Sequence, residues 1–300
     1  MTIMAGMGSP TGTGVGPLLR GWRERRQLSQ LQLALRADSS ARHLSFVENG
    51  RSRPSRELVL RLAEHLDVPV RERNTLLLAA GYAPHYPETP LDDPSMAALR
   101  GGLERLLAAH DPYPAVVVDG SFRVLAANRA LGLLLDGIAP HLLEPPLNAI
   151  RITLHPDGLA PRILNLRQWR QHLLERMERQ LELVRAEPLR RLYEEVRGYP
   201  EPAGDPADDP GAGGGAAAGG GAGGGAGGGA AAGAPGGADG FPFALPMRVR
   251  HDGHVLSFLS TIATFNTPLD VTVSELAMET FLPADAETVR FLQAAIGPDR

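Results

Sequence analysis

The most constraining stretch of this 300-residue chain is residues 28–54, LSQLQLALRADSSARHLSFVENGRSRP. Its spacing predicts two short helices joined by a tight turn. Ser29 is an N-cap, its hydroxyl placed to accept an orphan amide of the first turn. Leu33 and Ala34 face inward, and Ala34 is small enough for a second helix to cross closely. The turn follows at Arg36-Ala37-Asp38-Ser39, where Asp38 tolerates positive φ. Ser40 caps a second helix running from Ala41 to about Asn49, which Gly50 stops as a left-handed C-cap. At ~100° per residue, Leu44 and Val47 lie on one side of that helix, with His43 at the margin. Arg42, Ser45, Phe46 and Asn49 lie on the other. A guanidinium, a hydroxyl, an amide and a ring suit the reading of base edges in a major groove. The plainer alternative is the solvated face of an ordinary helical hairpin.

The order Ser29-Gln30-x-x-Leu33-Ala34, a turn, then Leu44-Ser45-x-Val47-Glu48-x-Gly50-x-x-x-Pro54-Ser55 resembles the Cro/repressor (XRE) helix-turn-helix family over residues 17–70. The resemblance implies a sequence-specific reader of double-stranded DNA. Its contact residues on this chain would be Gln30, Ser40, Ala41, Arg42, Ser45, Phe46 and Asn49. Arg51 and Arg53, in the basic loop that follows, would meet phosphates. Two positions depart from the family: Asp38 stands where Gly is usual, and Ser39 where a small aliphatic is usual, which removes packing from the turn.

Charge is distributed unevenly in a way that agrees with this. The net charge is −4, yet residues 15–73 hold twelve Arg against seven Asp and Glu, so everything else is strongly acidic. A basic N-terminal unit beside an acidic remainder fits a DNA reader joined to a domain with another task. With no Cys there is no disulfide and no thiolate metal site, which fits a cytoplasmic protein. No apolar run approaches the ~18–20 residues that a membrane helix needs. Residues 1–14 lack the basic region of a secretory signal and are expected to be a disordered tail.

Around the hairpin, Leu18, Leu19 and Trp22 mark a first helix, with Arg20, Arg23, Arg25 and Arg26 assigned to its outer face. A fourth helix carries Leu58, Leu62 and Leu66 inward, and a fifth carries Leu76, Leu77 and Leu78. This all-α domain spans residues 15–81. Residues 82–94 form a linker in which three prolines between 82 and 90 block helix and sheet alike. An α+β domain with one antiparallel sheet is expected over residues 95–300. Its parts are a helix near residue 95, a hairpin 115–118/122–126 about Asp119-Gly120, and helices over 128–135, 166–184 and 188–197. A second hairpin, 244–251/254–265, turns at Asp252-Gly253, and a strand 274–282 precedes a final helix. Residues 203–240 are so rich in Gly and Ala that they cannot offset their ordering entropy, and they are expected to be a disordered insertion. The G-x-G-x-x-G within it follows no strand and is a compositional accident.

Pro112-Tyr113-Pro114-Ala115, Val124-Leu125-Ala126-Ala127-Asn128-Arg129-Ala130, Leu154-His155-Pro156, Leu256-Ser257-Phe258 and Phe265-x-Thr267-Pro268-x-Asp270-Val271-Thr272 together resemble the PAS-like ligand-binding domain of MmyB-type actinobacterial regulators. That family is thought to bind fatty-acid-like molecules, so the resemblance implies a small lipophilic effector. An apolar pocket lined by Val116, Val118, Leu125, Leu256, Phe258, Ile262 and Phe265 would take such a chain, with Arg129 or Arg151 at the rim for a carboxylate. A strand buried in plain core is the alternative for residues 255–265. No nucleophile elbow, metal-ligand spacing or phosphate loop is present, so neither a catalytic residue, a metal nor a cofactor is expected. His155-Pro156-Asp157-Gly158 reads as a turn. A homodimer is expected, because one helix-turn-helix reads only a few base pairs. The rival reading is a DNA-binding protein whose second domain only dimerises.

Overall fold

The computed structural model describes residues 14–184, 186–200 and 244–297. The expected N-terminal tail, up to residue 13, and the Gly/Ala insertion lie outside the described residues. In chain order the first elements are α1 (Val15–Arg25), α2 (Gln30–Arg36), α3 (Ala41–Glu48), α4 (Arg56–His65), α5 (Val70–Ala79) and α6 (Ala97–Ala109). Then come β1 (Ala115–Val118), β2 (Val124–Ala127), α7 (Leu131–Leu135), α8 (Ala149–Leu154), α9 (Leu166–Leu183) and α10 (Glu187–Arg197). The chain closes with β3 (Met247–His251), β4 (His254–Thr264), α11 (Val271–Glu275), β5 (Ala277–Pro283) and α12 (Ala286–Ile296). Two compact units result. One gathers the described residues up to 103 with those of 179–187 and 263–277, and the other gathers the described residues of 104–178, 188–262 and 278–297.

In the first unit, α1–α5 enclose a core that includes Leu19, Trp22, Leu33, Ala34, Leu44, Val47, Leu62 and Leu77. Helices this short gain little from propensity and are held by packing and by their ends. All five end the same way. Gln27, Asp38, Gly50, Asp67 and Gly81 take positive φ, and the next amide returns to a carbonyl five residues back. These bonds are Leu28 N to Arg23 O, Ser39 N to Ala34 O, Arg51 N to Phe46 O, Val68 N to Ala63 O and Tyr82 N to Leu77 O, at 2.7–3.1 Å. Asp38 therefore fills the position usually given to Gly and keeps its geometry, because Asp enters the left-handed region more easily than most side chains. At Gly16, a Cβ would sit 2.5 Å from the Val47 carbonyl, so α1 and α3 cross too closely for any side chain there.

Arg23 is not on the outer face of α1 as its neighbours suggested. It is buried, and its guanidinium forks onto the Glu48 carboxylate at 2.6 and 2.9 Å. A third N–H reaches the Leu28 carbonyl at 2.8 Å. Arg23 lies one turn beyond Leu19, which puts it on the inward stripe. Of the three apolar residues of the fifth helix, Leu76 and Leu77 are buried and Leu78 is 59% exposed. The linker has no helix or strand before Pro94, as its prolines predict, but it is fastened. The Asn74 carbonyl oxygen accepts the amides of His85 and Tyr86, and its amide nitrogen donates to the Tyr86 carbonyl.

In the second unit a five-stranded sheet has the order β2-β1-β5-β4-β3. β1 pairs antiparallel with β2, and β3 with β4. β1 is buried at every residue, whereas β3 alternates buried and exposed. Trp169, Leu173 and Met177 of α9, Leu189, Leu192 and Val196 of α10, and Leu292 of α12 are buried. Two expectations shift. Phe122 takes φ +62° and is buried in the turn, so β2 starts at Val124 rather than at Phe122. The expected strand 274–282 begins only at Ala277, because the Asp270 carboxylate caps the amides of Thr272 and Val273 and winds residues 271–275 into α11. The described part of the β3–β4 hairpin turns at Asp252-Gly253, both at positive φ, as expected.

Removing one partner of the Arg23–Glu48 pair leaves a buried charge unmatched, at a cost of about 3–5 kcal/mol. Glu48→Ala should therefore lower the stability of the helical unit in urea unfolding by that order. Arg23→Met/Glu48→Leu should lose markedly less than the single substitution. Equal losses would mean that the pair carries no special weight.

Candidate nucleic-acid interface and effector domain

α3 is built to present one face. Its Ser40 hydroxyl accepts the His43 amide at 3.1 Å, which satisfies the helix start. Leu44 and Val47 are buried, Ala41 packs against the core, and Gly50 ends the helix. Arg42 and Asn49 are exposed, and Ser45 and Phe46 are half-buried beside them. The Arg42 guanidinium lies 5.5 Å from the centre of the Phe46 ring, one turn along the same face. The Asn49 amide nitrogen bonds back to the Ser45 carbonyl at 2.9 Å. The expected surface is thus present as one patch, with Arg51 exposed just beyond it.

Two expected contacts have other work. Gln30 turns its amide nitrogen onto Glu48 Oε2 at 2.8 Å, adding α2 to the buried Arg23–Glu48 pair. Arg53 donates from Nε to the Ala80 carbonyl and from Nη2 to the Gly81 carbonyl, both at 2.9 Å, and covers the Tyr82 ring. It caps the carbonyl end of α5, where a cation is favoured, and so clamps the fold.

In the second unit the expected pocket residues separate. Val116, Val118, Leu256 and Phe258 are at most 3% exposed and form core. Leu125 is half-buried, whereas Ile262 and Phe265 are 45% and 38% exposed at the end of β4 and beyond it. The two rim arginines are engaged. Arg129 donates to the Ile296 carbonyl at 2.9 Å and pairs with Asp111. Arg151 forks onto Glu195 at 2.7 and 2.6 Å, and Glu195 also accepts the Tyr199 hydroxyl. Arg151 holds the Glu195 carboxyl below its ordinary range, and burial pushes the Tyr199 phenol up.

The cation that pattern reading missed is Arg176 on α9. Its side chain is mostly buried, lies 5.0 Å from the Phe122 ring, and touches Glu279 Oε2 only at 3.4 Å. The other Glu279 oxygen accepts the Ser260 hydroxyl at 2.6 Å. Among the described residues, this half-buried guanidinium has a longer ionic contact than Arg151 has with Glu195. Its signal in the sequence was the single Arg one residue before the buried Met177. His141, His155 and Asp157 each bring a donor atom within 4.8 Å of the others. His155 Nδ1, however, accepts the Asp157 amide at 3.0 Å, so that nitrogen closes the expected turn.

Residues 19–73 match the family model of the helix-turn-helix, and residues 99–215 match that of the MmyB-like transcription regulator ligand binding domain. A comparison with curated proteins found no match. Among solved structures, the clp gene regulator ClgR from Corynebacterium glutamicum is 27% identical over 33% of this chain and 90% of that one, with a TM-score of 0.20. An RNA-binding Light-Oxygen-Voltage receptor is 15% identical over 94% of this chain and 61% of that one, with a TM-score of 0.26. The chain is an XRE-type helix-turn-helix transcription regulator, a Cro/repressor-like module followed by an MmyB-like ligand-binding domain.

Proposed function

We propose that this regulator reads its operator through α3 as a cytoplasmic homodimer and that its second, PAS-like domain senses a fatty-acid-like molecule. The observation that carries the DNA half is the single patch of Arg42, Ser45, Phe46 and Asn49 on a helix whose other side is core. Arg42 stands in the first turn of α3, where side chains reach base edges most easily. Arg42→Ala should cost about 1–3 kcal/mol on a duplex selected with the full chain, and relax preference at one base pair. Equal loss on random duplexes would make Arg42 a phosphate contact. Arg51→Ala should weaken all duplexes and reduce the salt slope by about one, whereas Arg53→Ala should lower stability instead.

The effector half is supported by the family of residues 99–215 and by the chemistry of the interior. The buried side chains about the sheet are mainly apolar, which suits a chain-like molecule, and Arg176, rather than Arg129 or Arg151, supplies the cation for a carboxylate head. Calorimetric titration of delipidated protein with tetradecanoate should give saturable heat. Arg176→Gln should weaken the acid about tenfold or more while leaving tetradecanol unchanged. No heat and no melting shift would sink the sensor reading. It would leave the dimerisation reading, which the fully packed Val116, Val118, Leu256 and Phe258 favour. Native mass spectrometry should report a dimer, since two half-sites ~34 Å apart require two reading helices. A monomer that protects a single half-site with full affinity would refute it.

A further inference from the structure

Residues 265–276, the connection between β4 and β5, belong to the same compact unit as the DNA-reading helices, although the strands they join lie almost wholly in the other. They are fastened at three levels. The Val271 side chain is buried and its amide donates to the Pro87 carbonyl at 2.8 Å. Asp270, itself buried, accepts the Thr89 amide at 3.1 Å with one oxygen and caps α11 with the other. Glu275 receives Arg71 through Nε and Nη2 at 2.5 and 3.0 Å. The same guanidinium also donates to the Glu88 carboxylate, at 2.6 and 3.1 Å.

Arg71 stands in the first turn of α5, the positive end of the helix, where a cation is disfavoured. Two carboxylates offset that placement, and one of them comes from a segment more than 200 positions away in the chain. At its other end α5 is clamped by Arg53, in the loop that directly follows the reading helix. One helix therefore has the β4–β5 connection on its first turn and the α3–α4 loop on its last. The roots of the connection are tied as well, by Ser260 to Glu279 and Thr261 to Thr280, both at 2.6 Å.

We propose that residues 265–276 are a strap by which the effector domain sets the DNA-binding competence of the helix-turn-helix, acting through the Arg71 end of α5. The proposal rests on the reading of the chain as a regulator and names the element that couples its two functions. Coupling requires that the strap's docked and released states bind DNA unequally.

The test uses the full chain with no fatty acid present. Hydrogen exchange and affinity for the selected duplex are measured for the native protein, Glu275→Arg, Glu275→Gln and the swap Arg71→Glu/Glu275→Arg. Glu275→Arg should speed exchange of the Val271 and Thr89 amides about tenfold and change duplex affinity about fivefold or more, the lower end of ordinary coupling. Glu275→Gln should move both less, and the swap should return both most of the way. Unchanged exchange overturns the strap. Faster exchange with unchanged duplex affinity, or no recovery in the swap, overturns the coupling. Since no acid is added, a failed tetradecanoate titration bears on the sensor reading alone.

Discussion

The DNA-reading unit depends on one buried carboxylate. Glu48, at the last turn of α3, is reached by Arg23 from α1 and by Gln30 from α2. An ionised carboxylate can be buried only when its lone pairs are met, and here three donors from two other helices meet them. The pair therefore fixes how α3 sits against its neighbours, which is what the exposed patch on its far side requires. The close approach at Gly16 serves the same end, because α1 can lie against the Val47 and Glu48 carbonyls only without a side chain. Orientation of the reading face is thus set from inside the core.

Short helices leave many backbone groups unmatched, and the chain answers this with repeated local devices. In α1–α5 the residue that follows the left-handed position after each helix returns its amide to the last turn. In the second unit asparagines do comparable work. Asn128 accepts the Ala115 and Leu131 amides and donates to the Tyr113 carbonyl. Asn165 bridges the Arg248 amide and the Pro246 carbonyl, and Asn148 caps α8 while holding the Ser121 carbonyl. Each ties a loop to an element distant in sequence, so the sheet ends stay ordered without further helix or strand.

In the second unit Arg176, Glu279 and Ser260 meet as one charged cluster of low exposure. Burying a charged pair is costly, and a 3.4 Å contact recovers less than a short bidentate one. Arg151 and Glu195, by contrast, are matched at 2.6–2.7 Å near the surface.

What the amino-acid order determined by itself is local. Caps at Ser29 and Ser40, the apolar stripes of the helices, the Asp252-Gly253 turn and the inventory of the α3 face all follow from neighbours within four residues, and all were legible. The five-stranded α+β plan was legible for the same reason, from alternation and turn residues. Tertiary structure decided the tasks of the arginines. Arg23, Arg53, Arg129, Arg151 and Arg176 share one side chain, but each has a partner between 25 and 168 positions away, and long-range pairing leaves no periodic trace. It also decided that Ile262 and Phe265 stay exposed while Leu256 and Phe258 are buried, since burial along a strand depends on what covers each end of it. The sequence named the chemistry available, and packing assigned it.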